Sequence, residues 1–121
     1  MSRVVEKPWG AEEIFAETDC YVGKILTVRA GHELSLQYHR VKDETMRVLE
    51  GTCELHVRPV GEEGTLVRLV MGAGDVQHIP PGVVHRLVAV TDVRLVEVST
   101  PELDDVVRLA DRYGRVGTNT P

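Results

Sequence analysis

Apolar and polar side chains alternate most cleanly at Cys53, Leu55 and Val57 against Glu54, His56 and Arg58. That period of two predicts a strand with the first set in a core and the second in water. Short valine-rich stretches of similar character recur, and with this one the predicted strands cover residues 12–16, 21–29, 34–39, 44–50, 52–58, 65–70, 76–79, 85–90 and 93–99. Turn formers separate most of them: Ala30-Gly31, Gly51, residues 61–64, Gly72-Ala73-Gly74, Pro80-Pro81-Gly82 and Thr91-Asp92. Many short strands with regular punctuation predict a sandwich or barrel. The end of the chain departs from this pattern. After Pro101, the positions Leu103, Val106, Val107 and Ala110 recur at helical spacing behind an acidic start. They predict a short C-terminal helical segment packed outside the sheets, followed by a frayed end over 117–121.

Length and charge narrow what such a fold does. With 121 residues the chain reads as a single domain, 1–121 with its core over about 7–115, and with no room for a second catalytic module. Fourteen Lys and Arg against nineteen Asp and Glu give a formal charge of −5, which supplies no global positive field for nucleic acid or an anionic membrane. A small-molecule partner is expected, and any basic group that grips an anion must act locally, inside a pocket. The sequence has no apolar run long enough for a membrane span and no apolar secretory segment in 1–7, so a cytoplasmic location is expected. Two cysteines, Cys20 and Cys53, are too few for a disulfide framework. Both read as inert, Cys53 as a small core hydrophobe.

The candidate chemistry lies between Gly31 and Gly51 and after the Pro80-Pro81-Gly82 turn. Gln37 and His39 are two apart, on one face of a strand, and Glu44 follows across a tight turn at the start of a returning strand. His85 opens the strand after the second turn. Two imidazoles, one carboxylate and one amide oxygen form a mixed donor set suited to a divalent metal with open positions. His78 shares parity with Val76 and Pro80 and is expected to face the same cavity as acid, base or ligand-orienting group. Lys42, Arg86, Lys24 and Arg47 are candidates for an anionic group, although strict alternation puts Arg86 on the face opposite His85. His32 and His56 read as surface histidines, Trp9 as an anchor for the N-terminal strand, and Glu62-Glu63 as a solvated turn.

The stretch from Gly31 through Gln37, His39 and Glu44 to Gly51 resembles the first cupin motif, with Gln37 where many cupins carry histidine. Gly74, Pro80-Pro81-Gly82 and His85 resemble the second, with Ala89 where that motif often ends in Asn. Within cupins the chain is similar to the type II phosphomannose isomerase domain. The shared pieces are Lys7-Pro8-Trp9-Gly10, Leu34-Ser35-Leu36-Gln37 with His39, Ile79-Pro80-Pro81-Gly82-Val83 with His85-Arg86-Leu87, and Asp104-Asp105-Val106-Val107-Arg108 with Asp111-Arg112-Tyr113-Gly114-Arg115. Where that family reads Arg-Ala-Glu-His-Trp, this chain has Lys42-Asp43-Glu44-Thr45-Met46, and a lysine lacks the bidentate fork of a guanidinium.

The resemblance implies an all-β double-stranded β-helix, the cupin jelly-roll barrel. It implies one divalent ion (zinc, cobalt, nickel, manganese or iron) on Gln37, His39, Glu44 and His85, with Lys42, Arg86 and His78 lining the substrate site. The activity it implies is aldose-ketose isomerisation of a sugar phosphate such as mannose 6-phosphate. By analogy with cupins, a homodimer through exchanged N-terminal strands over 4–16 is expected. Two alternatives stay open: a non-enzymatic sugar-binding cupin, and an iron-dependent dioxygenase.

Overall fold

The computed structural model describes residues 2–58, 64–115 and 117–118. Its strands are β1 (Arg3–Lys7), β2 (Gly10–Glu17), β3 (Val22–Val28), β4 (Leu36–Tyr38), β5 (Glu44–Glu50), β6 (Cys53–Arg58), β7 (Val67–Met71), β8 (Val76–Ile79), β9 (Val84–Ala89), β10 (Val93–Ser99), β11 (Val107–Ala110) and β12 (Gly117–Thr118). They form two six-stranded sheets, ordered β1-β2-β3-β10-β5-β8 and β12-β11-β4-β9-β6-β7, and every pairing is antiparallel. Neighbours such as β3-β10-β5 and β4-β9-β6 are far apart in sequence. The sheets therefore close by crossovers rather than as simple meanders, and the architecture is the all-β cupin jelly roll.

The inward rows explain where the site sits. Along β10, Val93 and Leu95 are followed by Glu97 and Ser99, all buried; along β5 the row runs Val48, Met46, Glu44; along β9 it runs Ala89, Leu87, His85. Each row is apolar at one end of the barrel and polar at the other. Leu95 pairs in register with Leu26 and Val48, and Cys53 with Ala89, so the apolar ends stack into one core that also takes in Trp9, Val28, Leu55 and Ile79. A buried aliphatic side chain contributes roughly 1.5–3 kcal/mol. This closed layer is the platform that holds charged side chains at the other end. Gly51 closes the β5–β6 turn with φ of +88°, and a Cβ there would strike the Asp92 carbonyl, so the turn requires glycine.

Two expectations are corrected. The C-terminal segment is strand rather than helix: Val106 and Arg108 are buried, Val107 is half-buried and Leu109 is exposed, an alternation of two that pairs β11 with β4. The backbone at Gly117–Thr118 pairs with β11 as β12 instead of fraying, while 119–121 lie outside the described residues, as do Glu62-Glu63. Within the N-terminal stretch 4–16, β1 pairs with β2 of the same chain.

Candidate metal centre

β4, β5 and β9 bring the expected ligands together. Gln37 and His85 are direct partners across β4 and β9, and Glu44 opens β5. His39 Nε2 lies 3.2 Å from Glu44 Oε1, and His85 Nε2 lies 3.2 Å from the same oxygen. All three residues are at most 4% exposed. Their potential donor atoms lie within 4.8 Å of one another. Gln37 lines the same cavity.

The remaining ring nitrogens decide what the cluster is for. His39 Nδ1 is 2.6 Å from the Asp105 carbonyl and His85 Nδ1 is 2.9 Å from the Val83 carbonyl. A carbonyl only accepts, so both Nδ1 atoms carry the proton, and in neutral rings both Nε2 lone pairs face Glu44. Lone pairs aimed at a carboxylate repel unless a cation sits among them. A divalent ion meets that need, and the two backbone carbonyls fix the rings as ligands of one requires. The donor set thus fits the metal that the fold implies. In the metal-free cluster, burial pushes His85 toward its neutral form, but its hydrogen bond to Glu44 and that carboxylate's charge outweigh burial and raise its pKa. Burial acts on Glu44 in the upward direction and is overcome by His39, His85 and Lys42, which hold it well below the usual carboxylate range.

Lys42 is in the cavity, yet its ammonium is already engaged. Nζ lies 3.4 Å from Glu44 Oε2 and 3.2 Å from Glu97 Oε1, and the side chain is buried. Burial opposes its charge, but the two carboxylates win and raise its pKa. Glu97, pressed by burial and then by the charge of Glu44, is raised above the ordinary range. Lys42 therefore holds two carboxylates rather than standing free for an anion. Lys24 is likewise buried and committed to Glu12 at 3.4 Å.

His78 and Arg86 lie elsewhere. The His78 side chain is 57% exposed, and its Nε2 contacts Asp43 Oδ1 at 2.6 Å. It is Ile79 that enters the core from β8, so the expectation that His78 faces the cavity is corrected. Arg86 points out of the barrel, as alternation required, to Glu33 at 3.5 Å and His56 Nδ1 at 3.1 Å. His56 is 9% exposed rather than in water, because Glu54 and Arg86 cover it. Arg47 is exposed. The cavity instead contains residues that the sequence reading assigned no role there: Glu97, Glu12, Lys7 and Arg108. Only the motif stretches around Lys7 and Arg108 carried any signal of them.

The 40–42 loop that aims Lys42 and leads into Glu44 is held by one carboxylate. Asp105 accepts from the backbone N–H groups of Arg40, Val41 and Lys42 at 3.0, 2.6 and 2.8 Å. Partial burial raises its pKa, but these three donors outweigh it and the net shift is downward. Because the folded-state value is depressed, its stabilisation is present above the unfolded value, near 3.8, and is lost as pH falls through the folded value. Asp105→Ala is expected to destabilise the protein by about 1–3 kcal/mol at pH 7. The difference from the native chain should shrink as pH falls below about 3.8, as read by urea melts across pH.

A family model described as mannose-6-phosphate isomerase C-terminal matches residues 1–111. A mannose-1-phosphate guanylyltransferase of Escherichia coli K12 is 36% identical over 119 residues, covering 94% of this chain and 23% of that protein. The xanthan biosynthesis protein XanB of Xanthomonas campestris is 36% identical over 118 residues, covering 93% and 24%. The chain thus spans about a quarter of the length of these relatives. Among solved structures, an RmlC-like cupin from Shewanella frigidimarina superposes with a TM-score of 0.68 at 24% identity, covering 84% of this chain and 85% of that one. The capsular polysaccharide assembling protein CapF of Staphylococcus aureus superposes at 0.75 with 18% identity, covering 92% and 35%. At these identities the structures speak for the fold. No helix among the described residues is long and apolar enough to cross a membrane.

Proposed function

Because the chain belongs to the family of the mannose-6-phosphate isomerase C-terminal domain, we propose that it is a metal-dependent aldose-ketose isomerase acting on a sugar phosphate, mannose 6-phosphate in the first instance. The observation that carries this reading is the set of inward-facing acceptors on His39, Glu44 and His85 in a cavity that is otherwise rich in cations. Gln37, His39, Glu44 and His85 would hold the ion, which when bound supplies Lewis acidity to sugar oxygens carrying developing negative charge. Gln37 is neutral, so Glu44 is the one charged ligand of the four.

The chain's own groups do the rest. Isomerisation moves hydrogen between adjacent sugar carbons, and transfer as a proton needs a general base outside the ligand set. Glu97 is buried beside that set through Lys42, and the role falls to it by position. Lys42 keeps Glu44 and Glu97 apart in function, orienting one as ligand and steadying the other. The apolar rows of Met46, Leu26 and Leu87 line the floor of the cavity and exclude bulk water beneath the sugar. Two histidines and one carboxylate also suit ferrous iron and oxygen, but cations in the same cavity favour a phosphorylated ligand.

The test is interconversion of mannose 6-phosphate and fructose 6-phosphate by the chain reconstituted with each candidate divalent ion. Turnover that disappears on chelation is the expected result. A loaded centre that converts no hexose phosphate overturns the isomerase reading.

A further inference from the structure

Charge pairing in the cavity leaves a remainder. Five cations line it, Lys7, Lys24, Lys42, Arg108 and Arg115. Lys24 is taken by Glu12, Lys42 by Glu44 and Glu97, and Arg115 by Asp111 at 3.0 Å. Arg108 and Lys7 have no ion-pair partner among the described residues. Arg108 is 5% exposed, and its Nε and Nη1 are buried without any hydrogen-bond partner. A buried guanidinium with empty donors is costly unless something arrives to accept from it. Burial lowers the pKa of both Arg108 and Lys7, and each also senses Arg115, so the three cations lie within electrostatic reach of one another.

Its register says what arrives. Arg108 on β11 is the direct partner of Gln37 on β4, and Gln37 is the direct partner of His85 on β9. Three neighbouring strands therefore carry anion receptor, amide and imidazole in one row, with the outer two backbones about 10 Å apart at roughly 4.8 Å per strand step. All three side chains line the same cavity. A molecule with oxygens at one end and an anion at the other spans that distance as an open-chain sugar phosphate does.

We propose that Arg108, assisted by Lys7, is the phosphate receptor of this cavity, gripping a phosphomonoester through its guanidinium, whose Nε and Nη1 are buried without a hydrogen-bond partner, while the sugar end lies toward Gln37 and His85. A guanidinium offers two parallel donors matched to phosphate oxygens, which the engaged ammonium of Lys42 does not. The assignment rests on the sugar-phosphate reading of the site, and it makes Arg108 a specificity-determining residue rather than a metal ligand. It also explains how a chain of charge −5 draws in an anion: the positive charge is concentrated at one buried point.

The experiment is calorimetric binding of inorganic phosphate, mannose 6-phosphate and mannose to the metal-loaded chain and to Arg108→Gln, Arg108→Lys and Lys7→Gln. Arg108→Gln is expected to lose about 10–100-fold in affinity for both phosphate compounds, as for a charged hydrogen-bonding group, with unchanged mannose affinity and metal content. Arg108→Lys should recover part of the loss, and Lys7→Gln should show a smaller one. Relief of an unpaired buried charge predicts a melting temperature for Arg108→Gln no lower than that of the native chain. Equal phosphate affinity in native, Arg108→Gln and Lys7→Gln chains overturns the proposal. Phosphate binding that depends on Arg108 in a chain that isomerises nothing upholds the receptor and discards the isomerase.

Discussion

Replacing His85 with alanine is expected to lower divalent-metal affinity by more than about 100-fold, because groups that merely orient a ligand are already worth about 10–100-fold. The loss should appear in elemental analysis of the purified chain and in calorimetric titration. The isomerase turnover proposed for the chain should fall to the level of the chelated protein. The reason is specific to the geometry: with both Nδ1 atoms donating to backbone carbonyls, His39 and His85 have only Nε2 to offer, and each Nε2 is 3.2 Å from Glu44 Oε1. Nothing else among the described residues is placed to replace an imidazole there. His78→Ala is the contrast. Its side chain sits outside the cavity on Asp43, so metal content should be unchanged. A metal lost equally in both variants would remove the basis for assigning the centre to this cluster.

Lys42→Met in the metal-free chain is expected to destabilise the fold by about 3–5 kcal/mol at pH 7, the usual cost of breaking a buried ion pair by removing one partner. The lysine lies between Glu44 and Glu97, and both carboxylates are at most 7% exposed. Without the ammonium, two like charges face each other away from water. That is a large share of the roughly 5–15 kcal/mol that holds a domain folded. Glu97 already binds its proton more tightly than an ordinary carboxylate, and loss of Lys42 tightens it further. A carboxylate with a raised folded-state pKa gains stability as pH falls, so the deficit of Lys42→Met should shrink on acidification. Adding Glu97→Gln should restore part of the loss at pH 7, which urea melts in a double-mutant cycle would measure. A deficit below about 1 kcal/mol, typical of an exposed pair, would mean that Lys42 is not buried between them.

The candidate cluster was legible because spacing carries it. Gln37 and His39 share strand parity, Glu44 sits one tight turn away, and His85 follows a Pro-Pro-Gly turn; these are local relations that chain geometry enforces. The barrel was legible for the same reason, since valine-rich runs of period two have few other ways to bury one face. What failed depended on relations that a single segment does not contain. In β8 the apolar residues Val76 and Ile79 have opposite parity, so the pattern did not say which one faced inward; burial of Ile79 turns His78 out. His56 was given the right side of its strand but the wrong medium, because the outer face there is covered by Arg86 and Glu54 rather than by water.

The C-terminal segment illustrates the same limit. Leu103, Val106, Val107 and Ala110 fit a helical period, yet a run this short does not separate helix from strand on its own. The free edge of β4 decides the matter by offering partners to Val107 and Arg108. Reading that segment as an outer helix hid Arg108, which only the strand directs into the cavity. The buried pairs of Lys24 with Glu12 and Lys42 with Glu97 were hidden likewise, since each joins segments that meet only in the folded barrel.

The most direct measurement is an anomalous difference map from crystals of the chain loaded with one divalent ion, collected at that ion's absorption edge. The account predicts a single strong peak about 2.0–2.2 Å from Nε2 of His39, Nε2 of His85 and an oxygen of Glu44, with the Gln37 amide turned toward it. A peak confined to other residues, or no peak between these three under saturating metal, would contradict it.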